Sequence, residues 1–125
     1  MSIPKKILVG EDSSIIINLT KNVLAFENYQ MKAARNGKQV LDLLEKEDFD
    51  LVLMDISMPV MDGVDCLQQI RKLQDPLKSK IPVIAISGNI RNYTPEEFRK
   101  LGFDDFIQKP LDYDKVLATV KKFLS

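Results

Sequence analysis

Short apolar runs alternate with segments of helical period along the whole of this chain, and that alternation leaves few folds open. Lys6 to Gly10 (KILVG) is the first run, and Glu11-Asp12-Ser13-Ser14 after it offers helix caps. Beyond Ile15, residues Ile16, Leu19, Val23 and Phe26 recur at helical spacing. Asn28-Tyr29 breaks this helix, Gln30 to Ala34 reads as a weaker strand, and Arg35-Asn36-Gly37 closes it. Val40, Leu41 and Leu44 mark a second helix, and Leu51 to Met54 a third strand. Asp62 caps a third helix that carries Val64, Leu67 and Ile70 inward. Ile81 to Ile86 is a fourth strand, with its proline near the start, where a missing N–H is tolerated. Thr94-Pro95-Glu96-Glu97 is a capping box with proline at the first helical position, and Gly102 suits the end of that helix. Asp105 to Gln108 is a fifth strand, and Asp112 caps a last helix with Val116, Leu117, Val120, Phe123 and Leu124 on one face.

Five strands alternating with five helices predict an α/β, doubly wound parallel sheet of flavodoxin-like type, covered on both faces. A length of 125 residues suits one domain, 1–125, with one sheet. Right-handed crossovers put the C-terminal ends of all the strands along one edge of the sheet. The first strand ends there in Glu11-Asp12, the third in Asp55, the fourth in Ser87 and the fifth in Lys109. The second ends in Asn36-Gly37 and brings no charged group, so it belongs at the outer edge. That gives the strand order 2-1-3-4-5, with the switch point between strands one and three, where the acids lie.

A carboxylate at the mouth of a buried strand is costly unless something uses it. Singly, each of these residues has the character of a helix cap or a solvated turn residue. Together they make a cluster of like charges, and two such charges 4 Å apart cost roughly 4 kcal/mol at an effective dielectric of 20. A cation relieves that cost. The chain has no histidine, which removes histidine-based acid–base catalysis and most zinc sites. Oxygen ligands alone point to a hard divalent ion, Mg2+, which takes one or two carboxylates, water and phosphate oxygens. Lys109 offers a point charge for an anion and Ser87 a hydroxyl donor. Asp55, between the acids of strand one and the serine of strand four, is placed to attack phosphorus as a nucleophile.

The stretches ILVGEDS, LVLMDISMPVMDG, IPVIAIS and DDFIQKP, in this order and spacing, resemble the receiver domain of two-component response regulators, the family of the bacterial chemotaxis regulator. That regulator has the strand order 2-1-3-4-5 itself, so the order is not independent of the resemblance. The resemblance implies a role for each matching position. Asp55 corresponds to the phosphoacceptor, and Glu11 and Asp12 to the acidic pair, with Asp12 favoured as the direct Mg2+ ligand. The main-chain carbonyl of Ser57 corresponds to the third protein ligand, beside Asp55. Lys109 corresponds to the phosphate-binding lysine, and Lys109-Pro110 to a peptide bond that is usually cis. Ser87 is the hydroxyl that follows the phosphoryl group, and Phe106 takes the place of the aromatic switch residue, although a plain core phenylalanine is an equal reading. Ser57 and Asn89 occupy positions that tune the lifetime of the phosphoryl group.

The implied function is a phosphorylation-operated signalling switch rather than a metabolic enzyme. Its only catalysis is its own phosphotransfer and dephosphorylation. The phosphoryl donor is a sensor histidine kinase or a histidine phosphotransfer protein, since this chain has no histidine to carry the group. Phosphorylation then changes the surface made by the helix after Thr94, the fifth strand and the last helix, and an output protein reads that surface, with the chain a monomer or a phosphorylation-dependent dimer. Ile15, Ile16 and Ile17 cannot all face inward, so Ile15 is either a docking contact for the donor's helix or an apolar surface residue. Gly10 departs from the family pattern, which often has a larger residue there, and Pro95 starts its helix late, leaving Asn89 to Tyr93 as a long loop. Alternatives are a phosphorylation-independent binding module on the same fold and a haloacid-dehalogenase-type phosphatase. The latter family has its nucleophile after the first strand and an aspartate two residues on, where this chain has Ser57.

Lys plus Arg equals Asp plus Glu at 18 each, so no global field favours nucleic acid or an anionic membrane. One cysteine, Cys66, no visible signal peptide and no apolar run long enough to span a bilayer predict a cytoplasmic protein without an internal disulfide.

Overall fold

The computed structural model describes residues 3–88 and 94–124. Its elements are β1 (Lys6–Gly10), α1 (Ser14–Phe26), β2 (Gln30–Ala34), α2 (Gly37–Lys46), β3 (Leu51–Asp55), α3 (Gly63–Arg71), α4 (Pro76–Ser79), β4 (Val83–Ser87), α5 (Pro95–Leu101), β5 (Asp105–Gln108) and α6 (Tyr113–Leu124). The five strands form one parallel sheet in the order β2-β1-β3-β4-β5. Every residue of β3 and β4 is buried, as expected of strands covered on both faces.

Alternate residues along these strands serve two separate cores. Leu8, Val52, Met54, Val83 and Ala85 pack on one face against Val40 and Leu44 of α2, Cys66, Leu67 and Ile70 of α3, and Phe98 of α5. Ile7, Val9, Leu51, Leu53, Ile84 and Ile86 pack on the other against Leu24 of α1 and Val116 and Val120 of α6. Cys66 is fully buried, donates from Sγ to the Gly37 carbonyl at 3.3 Å, and has its thiol pushed up to about 12, mainly by burial.

Three details differ from the reading of the sequence. The inward stripe of α1 is Ile17, Thr20 and Leu24, whereas Leu19 and Phe26 are exposed. Thr20 escapes an apolar pattern search, yet its hydroxyl lies 3.1 Å from the Tyr113 hydroxyl and is satisfied inside. The fourth strand begins at Val83 rather than Ile81, because Pro82 has no N–H to place in the ladder; its carbonyl still accepts from Val52 N at 2.9 Å. Beyond the five helices expected, α4 adds one short turn, signalled by Asp75-Pro76, where the Asp75 side chain accepts from Leu77 N.

Two polar residues lock the entrances of β4 and β5. Asp104 Oδ2 accepts from Val83 N at 2.8 Å and from Arg71 Nη2 at 3.1 Å. Arg71 also donates to the carbonyls of Ser79, Ile81 and Gly102. Removing the Asp104 carboxylate orphans a donor at a fully buried residue. Asp104→Ala is therefore expected to lower unfolding stability by about 2 kcal/mol, measured by urea denaturation. A loss well under 1 kcal/mol would contradict the lock.

Candidate functional site

Register sets the site. Gly10 pairs with Met54, Asp55 with Ile86, and Ser87 with Gln108, so the residues that follow these positions emerge side by side. Glu11 N donates to the Ala34 carbonyl at 2.9 Å, which carries the β1–β2 ladder one residue further. Lys109 N donates to the Ser87 carbonyl at 2.8 Å, which fixes the base of the lysine beside the serine.

Asp55 is 2% exposed. Its Oδ2 lies 2.6 Å from Lys109 Nζ, and its Oδ1 accepts from Ser57 N at 2.8 Å. Glu11 is likewise 2% exposed, and its Oε2 accepts from the amides of Asp12 and Ser13 at 2.9 and 3.0 Å. Glu11 Oε1 is 3.3 Å from Lys109 Nζ, an ion-pair distance, but has no hydrogen-bond partner among the described residues. Asp12 is exposed at the rim. Carboxylate oxygens of Glu11, Asp12 and Asp55 all lie within 4.8 Å of one another.

The electrostatics follow from burial and unequal charge. Burial, reinforced by the charge of Asp55, holds the Glu11 carboxyl above its ordinary range against the opposing pull of the Ser13 amide and Lys109. Burial pulls the Lys109 ammonium down, but its hydrogen bond to Asp55 and the charges of Asp55 and Glu11 outweigh that, and the net shift is upward. Lys109 thus stays charged at neutral pH. One ammonium faces three carboxylates. Oxygen-only donors, with a buried Glu11 Oε1 lacking a hydrogen-bond partner, fit a small hard dication such as Mg2+.

Other sequence-derived positions fall around this cluster. Ser87 is buried at the end of β4. Ser57 is exposed, with its amide on Asp55. The Lys109-Pro110 bond is cis. Phe106 is half-buried and stacks on Phe98, the centroids 5.4 Å apart. Ile15 is 73% exposed, in the first turn of α1. Asn89, and with it the segment 89–93 expected from the sequence to be a long loop, lies outside the described residues. Gly10 has its reason in packing, since a Cβ there would meet Val40 Cγ2 at 3.0 Å and Met58 Sδ at 3.3 Å.

One participant escaped the reading of the sequence. The second strand is not silent, because Arg35, the residue directly after it, reaches the acidic turn. Its Nη1 donates to the Asp12 carbonyl at 3.2 Å and its Nη2 to Ser14 Oγ at 2.8 Å. The available signal was a charged residue at the strand's end.

The family model for the response regulator receiver domain matches residues 7–121. The chain belongs to that family. Among curated relatives, the receiver is 33% identical over 120 residues to sporulation initiation phosphotransferase F of Bacillus subtilis, covering 96% of this chain and 94% of the relative. It is 30% identical to hybrid signal transduction histidine kinase I of Dictyostelium discoideum over 98% of this chain, but spans only 8% of that protein's length. Among solved structures, the receiver domain of a sensor histidine kinase of Pseudomonas aeruginosa PAO1, with magnesium in its cleft, superimposes with a TM-score of 0.86. That match has 23% identity and covers 97% of this chain and 98% of the other. Among the described residues, no helix of the receiver is long and apolar enough to cross a membrane.

Proposed function

We propose that residues 1–125 form one receiver domain that works as a phosphoacceptor switch, taking a phosphoryl group from a partner phosphohistidine onto Asp55. The carrying observation is the buried Asp55, pinned at both oxygens by Lys109 and Ser57 N and flanked by two further acids. Glu11, Asp12, Asp55 and the Ser57 carbonyl would hold Mg2+, which when bound neutralises charge on the phosphoryl oxygens.

An Asp55 oxygen attacks phosphorus as the P–N bond of the donor breaks, and the electron pair leaves with the imidazole nitrogen. Lys109, charged and 2.6 Å from Asp55 Oδ2, moves onto the incoming phosphoryl oxygens. The acyl phosphate adds roughly one and a half to two negative charges at the rim. The Ser87 hydroxyl turns toward it. Phe106, stacked on Phe98 of α5, shifts in response, and the face made by α5, β5 and α6 changes for a downstream protein. Ser57 and Asn89 set how long the group persists. The chain acts in the cytoplasm, as a monomer or a dimer formed on phosphorylation, and catalyses only its own phosphotransfer and hydrolysis. It touches neither nucleic acid nor membrane.

Exposure supports a docking face on α1 for the donor. Ile15, Leu19 and Phe26, at spacings of four and seven, share one side of the helix and are 73%, 49% and 88% exposed. Ile15→Ala is expected to slow transfer from a cognate phosphohistidine protein while leaving acetyl phosphate labelling at the wild-type rate. Equal transfer rates would remove Ile15 from the interface.

The chemistry of the adduct tests the proposal. Phosphorylated protein is expected to lose its phosphoryl group to hydroxylamine, as an acyl phosphate does. A hydroxylamine-resistant adduct would put the group on a hydroxyl and overturn the assignment to Asp55.

A further inference from the structure

Arg35 stands outside the set of carboxylates, lysine and serine described above, yet its side chain is built into the turn that carries two of the acids. Its backbone is clamped on both sides. The Ala34 carbonyl before it accepts from Glu11 N at 2.9 Å, and its own N–H donates to Gln39 Oε1 at 2.8 Å. The guanidinium then straddles the turn, with Nη1 on the Asp12 carbonyl and Nη2 on Ser14 Oγ. From the other side, Glu11 Oε2 takes the amides of Asp12 and Ser13, and Ser13 Oγ takes Ile16 N at 3.4 Å. Asp12 is exposed, and its main chain is held by Arg35 at the carbonyl and by Glu11 at the amide.

We propose that Arg35 is a positioning residue for the Mg2+ site, holding the Asp12 peptide in the orientation that presents its carboxylate beside those of Glu11 and Asp55. This rests on the reading that those three acids hold Mg2+. Groups that orient a metal ligand from behind typically contribute roughly tenfold or more to metal affinity when present. The planar guanidinium holds its two donors at a fixed separation that spans the carbonyl and the hydroxyl, whereas the three donors of an ammonium radiate from one nitrogen on a flexible stem.

Charge and geometry make opposite predictions here. As a positive charge near a dication site, Arg35 would oppose Mg2+, and its removal would tighten binding. As a positioning residue, it favours Mg2+, and its removal weakens binding.

The experiment is calorimetric titration of Mg2+ into the wild type, Arg35→Gln, Arg35→Lys and an Asp12→Asn control. The expected result is a roughly tenfold weaker affinity in both Arg35 variants, at the low end for such groups. Their metal-free melting temperatures should stay close to wild type, because Arg35 is exposed. Metal-free backbone NMR should show lower order parameters at the amides of Asp12 to Ser14 in both variants.

Tighter binding in Arg35→Gln with wild-type binding in Arg35→Lys would show a charge effect and overturn the proposal. Wild-type affinity in both would overturn it as well. A lower melting temperature with unchanged Mg2+ affinity would make the contact merely structural, which also overturns it. If the wild type takes up no Mg2+, or Asp12→Asn takes it up undiminished, the metal reading fails and this proposal falls with it. If Asp12→Asn loses Mg2+ but the Arg35 variants do not, only the role of Arg35 falls.

Discussion

Glu11→Gln should make the metal-free receiver more stable at neutral pH while removing its capacity for Mg2+. Glu11 is almost fully buried, faces Asp55, and among the described residues leaves Oε1 without a hydrogen bond. A glutamine keeps an acceptor for the amides of Asp12 and Ser13 and deletes one of three crowded negative charges. Relief of such a functional strain commonly yields about 1–2 kcal/mol. The sign of the pH dependence follows from the raised carboxyl. Because the folded Glu11 binds its proton more tightly than the unfolded chain does, stability falls as pH rises from the ordinary value of 4.5 through the raised one. The advantage of Glu11→Gln should therefore be largest at neutral pH and fade toward acid, where wild-type Glu11 is already neutral. Urea denaturation across pH, with Mg2+ absent, measures it. A variant less stable than wild type at pH 7 would mean that the attraction of Lys109 outweighs burial and repulsion together.

Gly63→Ala should cost the fold about 3 kcal/mol, although alanine is the better helix former. A Cβ at Gly63 would lie 2.6 Å from Ile56 Cα and 2.8 Å from the Asp55 carbonyl oxygen, both backbone atoms that cannot swing aside. Gly63 N also donates to the Ile56 carbonyl at 3.0 Å, so the first turn of α3 is fastened to the end of β3. The clash pushes on the peptide that carries Asp55, and Mg2+ affinity should fall with stability. The readout is the urea midpoint at unchanged slope. Stability at or above wild type would show that α3 can retreat from the strand without loss.

The position of Asp55 was legible in the sequence. Asp55 ends a fully buried strand, and a carboxylate closing an apolar run stands out in any sequence. The presence of these strands, though not the start of β4, was readable because β3 and β4 are buried on both faces, which leaves little room for polar residues. Features carried by polar residues in apolar settings were not readable. Thr20 turns the buried face of α1 away from its most apolar stripe by satisfying its hydroxyl on Tyr113. Arg35 after an edge strand has the sequence character of a solvated arginine, and only the β1–β2 register brings it to Asp12. The motif order named Glu11, Asp55 and Lys109, but not that Lys109 Nζ sits 2.6 Å from one acid and 3.3 Å from the other.

The proposed function stands or falls on whether Asp55 accepts a phosphoryl group in a Mg2+-dependent reaction. Intact mass after incubation with Mg2+ and acetyl phosphate, beside an Asp55→Asn control and a sample with the metal chelated, tests it most directly. The account predicts one phosphoryl adduct in the wild type with Mg2+, and none in the control or the chelated sample. An adduct that persists in Asp55→Asn, or a wild type that binds Mg2+ yet gains no mass, would contradict it.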